Sequence, residues 1–199
     1  METALILAGG ESARFGRPKA FVDVGGKSMV RRVADAIAPL AGEIVVSVAT
    51  GEMAEALRSV LPGPLLAVDR QHGRGPIEGI ARGFEIAHGD RILVAPCDAP
   101  LLRTQVYRLL LGALGDHEAS VPMFDVFDPV RAVYRKAAVL RVLAAPKTPL
   151  PSPSSMVDRL DAVFVGAARL RTVDPRLDSF LDVNRESDLA EVLVRLKSP

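Results

Sequence analysis

Leu5-Ile6-Leu7-Ala8-Gly9-Gly10-Glu11-Ser12-Ala13-Arg14-Phe15-Gly16-Arg17-Pro18-Lys19-Ala20 carries the strongest structural signal in this chain. The apolar run from Ala4 to Leu7 breaks at a glycine pair, passes through small and polar residues, and reaches a lysine. That order is expected of a buried strand, a tight turn with bare backbone N–H groups, and a cation beyond it. Glycines let backbone approach a ligand closely and let several N–H groups converge on one point. Arg14, Arg17 and Lys19 carry charge of the sign a polyphosphate needs. The segment reads as a phosphate cradle at the end of a first strand.

Two common cradles are excluded by spacing. A Walker loop requires Gly-Lys-Ser/Thr, whereas Lys19 lies between Pro18 and Ala20. A dinucleotide fingerprint requires Gly-x-Gly-x-x-Gly, which Gly9, Gly10 and Gly16 do not form. What remains is Gly-Gly-x-Ser-x-Arg-x-Gly-x-x-Lys directly after an N-terminal strand.

Downstream of this segment, apolar bursts alternate with helical periodicity. Strands are expected at 4–7, 43–48, 65–68, 91–94, 119–123, 130–134 and 162–165, and helices at 29–40, 53–60, 77–87, 104–114, 136–143 and 186–197. In the first of these helices Val30, Val33, Ala34, Ile37 and Leu40 recur at helical spacing. Strands alternating with helices predict right-handed βαβ units and a parallel sheet. Successive strands near 119–134 predict an antiparallel excursion. Pro146, Pro149, Pro151 and Pro153, with Ser152, Ser154 and Ser155, read as a mobile loop. The expectation is one three-layer α/β domain over 1–199, mostly parallel, with ligands beyond the carboxyl ends of the strands.

Composition narrows the function. Twenty-five Lys and Arg oppose 24 Asp and Glu, a net charge of +1, so no global basic field argues for nucleic acid or an anionic membrane. Aromatic residues are 5% with no Trp, too few for stacking platforms on single strands. One cysteine, Cys97, permits neither an intrachain disulfide nor a cysteine-based zinc site. No apolar run reaches membrane-span length and no secretory signal pattern is present, so a cytoplasmic location is expected.

Three further segments carry chemistry. Asp98, in Pro96-Cys97-Asp98-Ala99-Pro100, closes the fourth strand at the edge where the glycine cradle also lies. A carboxylate there, facing a triphosphate, suits Mg²⁺, which takes one or two carboxylates, waters and phosphate oxygens. Capping of the turn ahead of Pro100 is the competing use for it. Cys97 has no His partner in sequence and reads as a small buried hydrophobe. Asp69-Arg70-Gln71-His72-Gly73-Arg74-Gly75-Pro76-Ile77-Glu78-Gly79 follows the third strand and opens a helix whose backbone amides suit base or ribose recognition. Asp182-Val183-Asn184 precedes the last helix, and alternation on a strand would aim Asp182 and Asn184 at one site. Capping by Asn184 or Ser187 is the plainer reading.

Together these segments, in this order, resemble the molybdenum cofactor guanylyltransferase family within the Rossmann-like nucleotidyltransferases. The resemblance covers Leu5 to Lys19, Asp69 to Ile80, Pro96 to Asp98 and Asp182 to Asn184. It implies transfer of GMP from GTP to a pterin phosphate, with Mg²⁺ and release of pyrophosphate. It also implies nucleotide contacts from the backbone of Leu7, Ala8, Gly9 and Gly10, phosphate contacts from Lys19, guanine or ribose near Asp69, and metal on Asp98 with Asp182. Two positions depart from the family pattern. Thr50 stands nearest to the usual Asn after the second strand, and Glu78 falls where the family has Ala. Glu78 is therefore an alternative reader of the base, or a carboxylate pointing to solvent.

The expected reaction is attack by a substrate phosphate on the α-phosphorus of an NTP. The attacking group is already anionic near pH 7, so the protein positions and neutralises charge, with Arg14 and Lys19 on the pyrophosphate. Alternatives are a nucleotidyltransferase with a cobinamide-phosphate or sugar-phosphate acceptor, or a non-catalytic nucleotide-binding domain. A monomer or weak homo-oligomer is expected, with transient contact to molybdoenzyme maturation proteins.

Overall fold

The computed structural model describes residues 1–9, 18–71, 73–145 and 150–197. In chain order the elements are β1 (Glu2–Leu7), α1 (Met29–Ile37), β2 (Glu43–Val48), α2 (Gly51–Val60), β3 (Leu65–Val68), α3 (Pro76–Ile86), β4 (Arg91–Pro96) and α4 (Thr104–Leu114). The second half continues with β5 (Ala119–Met123), β6 (Ala132–Arg135), α5 (Lys136–Leu143), α6 (Pro153–Val157), β7 (Ala162–Gly166), α7 (Ala167–Leu170) and α8 (Glu186–Leu196). All seven strands join one sheet in the order β3-β2-β1-β4-β6-β5-β7. β1 pairs in parallel with β2 and β4, β2 with β3, and β5 with β7. Only β6 runs against its neighbours β4 and β5. This is the expected mostly parallel three-layer fold, with the antiparallel excursion confined to one strand.

Strand alternation explains the layers. In β1, Ala4 and Ile6 point to a core shared with Val33 and Ile37 of α1 and Leu110 of α4. Leu5 between them points to the opposite core, with Ile77, Ile80 and Phe84 of α3 and Val139 of α5. α3 sits unusually close to the sheet because Gly79 and Gly83 face it. A Cβ on Gly83 would lie 2.3 Å from Leu5 Cδ1, and one on Gly79 would lie 2.4 Å from Ser47 Oγ. A third, smaller cluster joins Val22, Val24 and Met29 to Val183 and Val192. It folds α8 and the segment before it back onto the chain that follows the first loop.

Several boundaries differ from the sequence reading for local reasons. α1 ends at Ile37, and Ala38–Leu40 forms a tighter turn, because Pro39 lacks the N–H an α-helix needs. α2 begins at Gly51 because the Thr50 hydroxyl accepts a hydrogen bond from the Met53 N–H at 3.2 Å. The Pro- and Ser-rich stretch is not wholly a loop: Ser152 caps α6, accepting from the Ser155 N–H at 3.2 Å. Residues 182–184 belong to no strand, so sheet alternation does not orient Asp182 and Asn184.

Candidate active site

Four parallel strands, β3, β2, β1 and β4, end side by side, and their ladder continues one residue past the ends of β1, β3 and β4. The Ala8 N–H donates to the Ser47 carbonyl at 2.8 Å, the Asp69 N–H to Val48 at 3.0 Å, and the Cys97 N–H to Leu7 at 3.0 Å. The loops after β1, β3 and β4 therefore start from fixed points on one edge. They enclose a cleft of about 530 Å³. Leu7, Ala8 and Gly9 line it from the first loop, with Ser47 and Ala49 from the end of β2. Asp69, Gly73, Gly75 and Gly79 line it from the β3–α3 connection, and Pro96, Cys97 and Asp98 from the end of β4. Lys19, Val130 and Asp182 complete the described wall.

One side of the cleft is organised around Lys19. Its ammonium donates to Asp98 Oδ2 at 3.1 Å and to Asn184 Oδ1 at 2.6 Å. Three consecutive residues brace this group from the far end of the chain. Asp182 binds the guanidinium of Arg131, the Val183 N–H donates to the Asp98 carbonyl at 2.9 Å, and Asn184 holds Lys19. Asn184 is itself held, because Asp188 Oδ2 accepts from the N–H groups of Asn184 and Arg185, each at 2.8 Å. Those backbone bonds, Asn184's first, keep the Asp188 carboxyl below its ordinary value. Asn184 thus serves Lys19 by its side chain while Asp188 starts the helix, and neither Asn184 nor Ser187 caps it by its side chain.

The other side is organised around Asp69. Ser47 Oγ donates to Asp69 Oδ1 at 3.4 Å, and a Cβ on Gly9 would come within 3.2 Å of Asp69 Oδ2. Glycine at position 9 therefore brings the first loop's backbone against this carboxylate. Gly73 and Gly75 hold positive φ angles of 80° and 66°, which only glycine adopts without strain. Glu78 does not point to solvent and is not among the residues that line the cleft. It is 5% exposed and accepts from the Arg70 N–H at 3.1 Å and from Arg74 at 3.4 Å, so it clamps the loop from within.

Cys97 is buried between the two sides, and burial, reinforced by the Asp98 charge, pushes its thiol up to about 12. A thiol so weakly acidic is no nucleophile, as the sequence reading had it. Thr50 is not among the cleft residues, since its hydroxyl is occupied at the start of α2. Gly10 and Arg14 of the expected site, with Arg17, His72, Pro146 and Pro149, lie outside the described residues. Arg131 and Ser47 are the residues that sequence reasoning missed. Arg131 is 4% exposed, donates to the Ser179 carbonyl at 3.1 Å and to Asp128 at 2.5 Å, and lies 5.7 Å from the Phe180 ring centre. Its only sequence signal was a charged residue within the apolar run Val130 to Tyr134.

The donors present fit Mg²⁺ held jointly with a substrate. Asp98 and Asp182 both face the cleft, and among the described residues no three His, Cys, Asp or Glu side chains group as a metal cage. One or two carboxylates supplemented by phosphate oxygens and water is the usual way this ion is held beside a nucleotide. Asp182 is no unencumbered ligand, however, because Arg131 occupies its Oδ1.

A carboxylate–lysine pair thus stands at the carboxyl edge beside a glycine-lined loop. The family model of the MobA-like NTP transferase domain matches residues 4–173. The chain belongs to that family. It is a nucleotidyltransferase, and the Rossmann-like sheet described above is the family's fold. A probable molybdenum cofactor guanylyltransferase from Natronomonas pharaonis is 32% identical, over 98% of this chain and 98% of the relative. A molybdenum cofactor guanylyltransferase from Desulfosudis oleivorans is 29% identical, over 98% and 96%. The crystal structure of molybdopterin-guanine dinucleotide biosynthesis protein A from Archaeoglobus fulgidus superposes with a TM-score of 0.82 at 26% identity, covering 100% of both chains. Across this MobA-like chain no described helix is long and apolar enough to cross a membrane.

Proposed function

We propose that this chain, acting as one unit over 1–199, transfers GMP from GTP to a molybdenum–pterin phosphate and releases pyrophosphate. The observation that carries the reading is the cleft itself. It sets a Lys19–Asp98 pair on one side and Asp69, beside the Gly9 backbone, on the other. The acceptor reading is supported by the relatives' names, molybdenum cofactor guanylyltransferase and molybdopterin-guanine dinucleotide biosynthesis protein A.

The backbone of Leu7, Ala8 and Gly9, continuing into Gly10, receives the nucleotide, and Asp69 accepts from the ring N–H and amino group of guanine. Adenine offers no such pair of donors, so the half-buried Asp69 carboxylate disfavours it. Lys19 neutralises charge that develops on the departing pyrophosphate, and Arg14 adds a second cation. A phosphate oxygen of the acceptor forms the new bond to the α-phosphorus as the bond to the pyrophosphate oxygen breaks. No side chain needs to remove a proton, because the attacking phosphate is already ionised. Asp98 would hold Mg²⁺, which would supply further charge neutralisation at the reacting phosphorus.

The test is pyrophosphate release from GTP, ATP and CTP with a pterin phosphate, a sugar phosphate and cobinamide phosphate as acceptors. Turnover is expected with GTP and the pterin phosphate, and loss of nearly all of it in Asp98→Asn with the circular dichroism unchanged. Faster turnover with another nucleotide or acceptor overturns the assignment, and an Asp98→Asn enzyme of wild-type rate at limiting Mg²⁺ overturns the metal role.

A further inference from the structure

Arg131 is the least expected charge near the cleft. It is nearly inaccessible to solvent, yet its guanidinium is shared among Asp182, Asp128 and the Ser179 carbonyl, and Asp182 faces the cleft. Asp98, the other cleft carboxylate on this side, is likewise paired, with Lys19. Each aspartate on this side of the cleft therefore already has its own cation. With Asp128 included, three carboxylates stand against two cations, a balance of −1.

We propose that Arg131 is a positioning residue that makes metal uptake depend on nucleotide. The inference rests on the reading of Asp98 and Asp182 as the metal side of the cleft. A divalent cation entering the empty cleft meets Asp182 with one oxygen engaged and a positive charge behind it. Burial spares that charge from screening by salt, so its repulsion of a second cation persists under physiological conditions. The triphosphate supplies the missing negative charge and the remaining oxygen ligands, and only then does the ion bind well. Meanwhile the guanidinium holds Asp182 in place through its fixed fork of donors, which a lysine point charge reproduces in sign but not in direction.

Because the effect of the charge has a definite sign, it separates from a purely structural role. A mutation that merely loosens the site weakens metal binding. Removing a buried cation beside a ligand carboxylate strengthens it. Free Mn²⁺, followed by paramagnetic resonance with and without GTP, reads the difference directly. Arg131→Gln keeps a polar donor toward Asp182 without the charge, and Arg131→Met serves as a second neutral variant should the first fold poorly. Both are expected to bind Mn²⁺ about tenfold more tightly than wild type without nucleotide, the lower end of what a nearby charge does to an ionic equilibrium. Arg131→Lys retains the wild-type affinity without nucleotide. Adding Asp182→Asn to Arg131→Gln abolishes the gain.

Unchanged or weaker Mn²⁺ binding in the neutral variants overturns the inference, as does a gain in Arg131→Lys equal to theirs. If wild type takes up Mn²⁺ with GTP but the neutral variants show no gain without it, this inference alone falls. If wild type takes up no Mn²⁺ even with GTP, the metal reading beneath it falls too.

Discussion

Lys19 and Asn184 stand 165 positions apart in the chain and 2.6 Å apart in space. The apolar cluster of Val22, Val24, Val183 and Val192 brings their segments together, and the ammonium then bridges Asn184 to Asp98. Ordering of the phosphate side thus depends on hydrophobic packing between distant parts of the chain.

Lys19→Ala is expected to weaken GTP binding by about 1.5–3 kcal/mol, the usual worth of a charged hydrogen bond, and to leave guanosine binding unchanged. Calorimetry with both ligands checks this. Equal losses for the two would place the ammonium away from the phosphates.

Gly79 and Gly83 both press on the sheet, but on different neighbours. A methyl at Gly83 meets Leu5 in the core, so Gly83→Ala should cost about 1–3 kcal/mol of unfolding free energy and little else. A methyl at Gly79 meets Ser47 Oγ, which holds Asp69. Gly79→Ala should therefore also raise the KM for GTP. Denaturant melts beside nucleotide titrations, at a temperature where both variants are folded, separate the two effects.

The Cys97 thiol, pushed up to about 12 by burial and the neighbouring Asp98 charge, should stay protonated and unreactive in the native protein at pH 8. Ellman's reagent is expected to label it quickly in guanidinium and, without denaturant, no faster than the protein opens. Fast labelling of the native protein would contradict the burial.

Acid should attack the junction before α8. Burial pushes the Asp178 carboxyl up, but bonds from Arg195 and Arg176 outweigh it and leave the group below its ordinary value. A lowered folded pKa gives stability that is present above the unfolded value, about 3.9, and lost as pH falls through the folded one. Stability of the wild type should therefore fall below about pH 4, and Asp178→Asn should show a shallower fall over the same range. Urea melts at stepped pH measure both slopes.

Much of this architecture was legible because its signals are local. Alternation and apolar bursts placed β2, β3 and β5 at the observed bounds, and helical spacing did the same for α4 and α5. The cleft residues that follow strands, Asp69 and Asp98, were readable from the rule that parallel sheets bind ligands beyond their carboxyl ends. Arg131 was not, because β6 runs the other way and the residues entering it, rather than those leaving it, reach that edge. Glu78 misled for a different reason: an exposed-looking carboxylate at a helix start is turned inward here by the Arg70 N–H and by Arg74, from a preceding loop shaped by the positive φ angles of Gly73 and Gly75 and not by helical spacing. The alternation inferred for Asp182 and Asn184 failed because the segment is held by single bonds to Asp98 and Lys19 outside the sheet.

The seating of α3 on bare glycines has a consequence for anyone redesigning base preference. A helix resting on side chains can be shimmed, since trading one apolar residue for a larger or smaller one tilts it and moves whatever it carries. This helix rests on backbone at two successive turns, so no such adjustment is open at Gly79 or Gly83. Libraries aimed at a different nucleotide should keep Gly79 and Gly83 fixed and diversify Asp69 to Arg74, with Glu78 at the start of α3 varied alongside as the internal clamp that must accommodate each new loop shape.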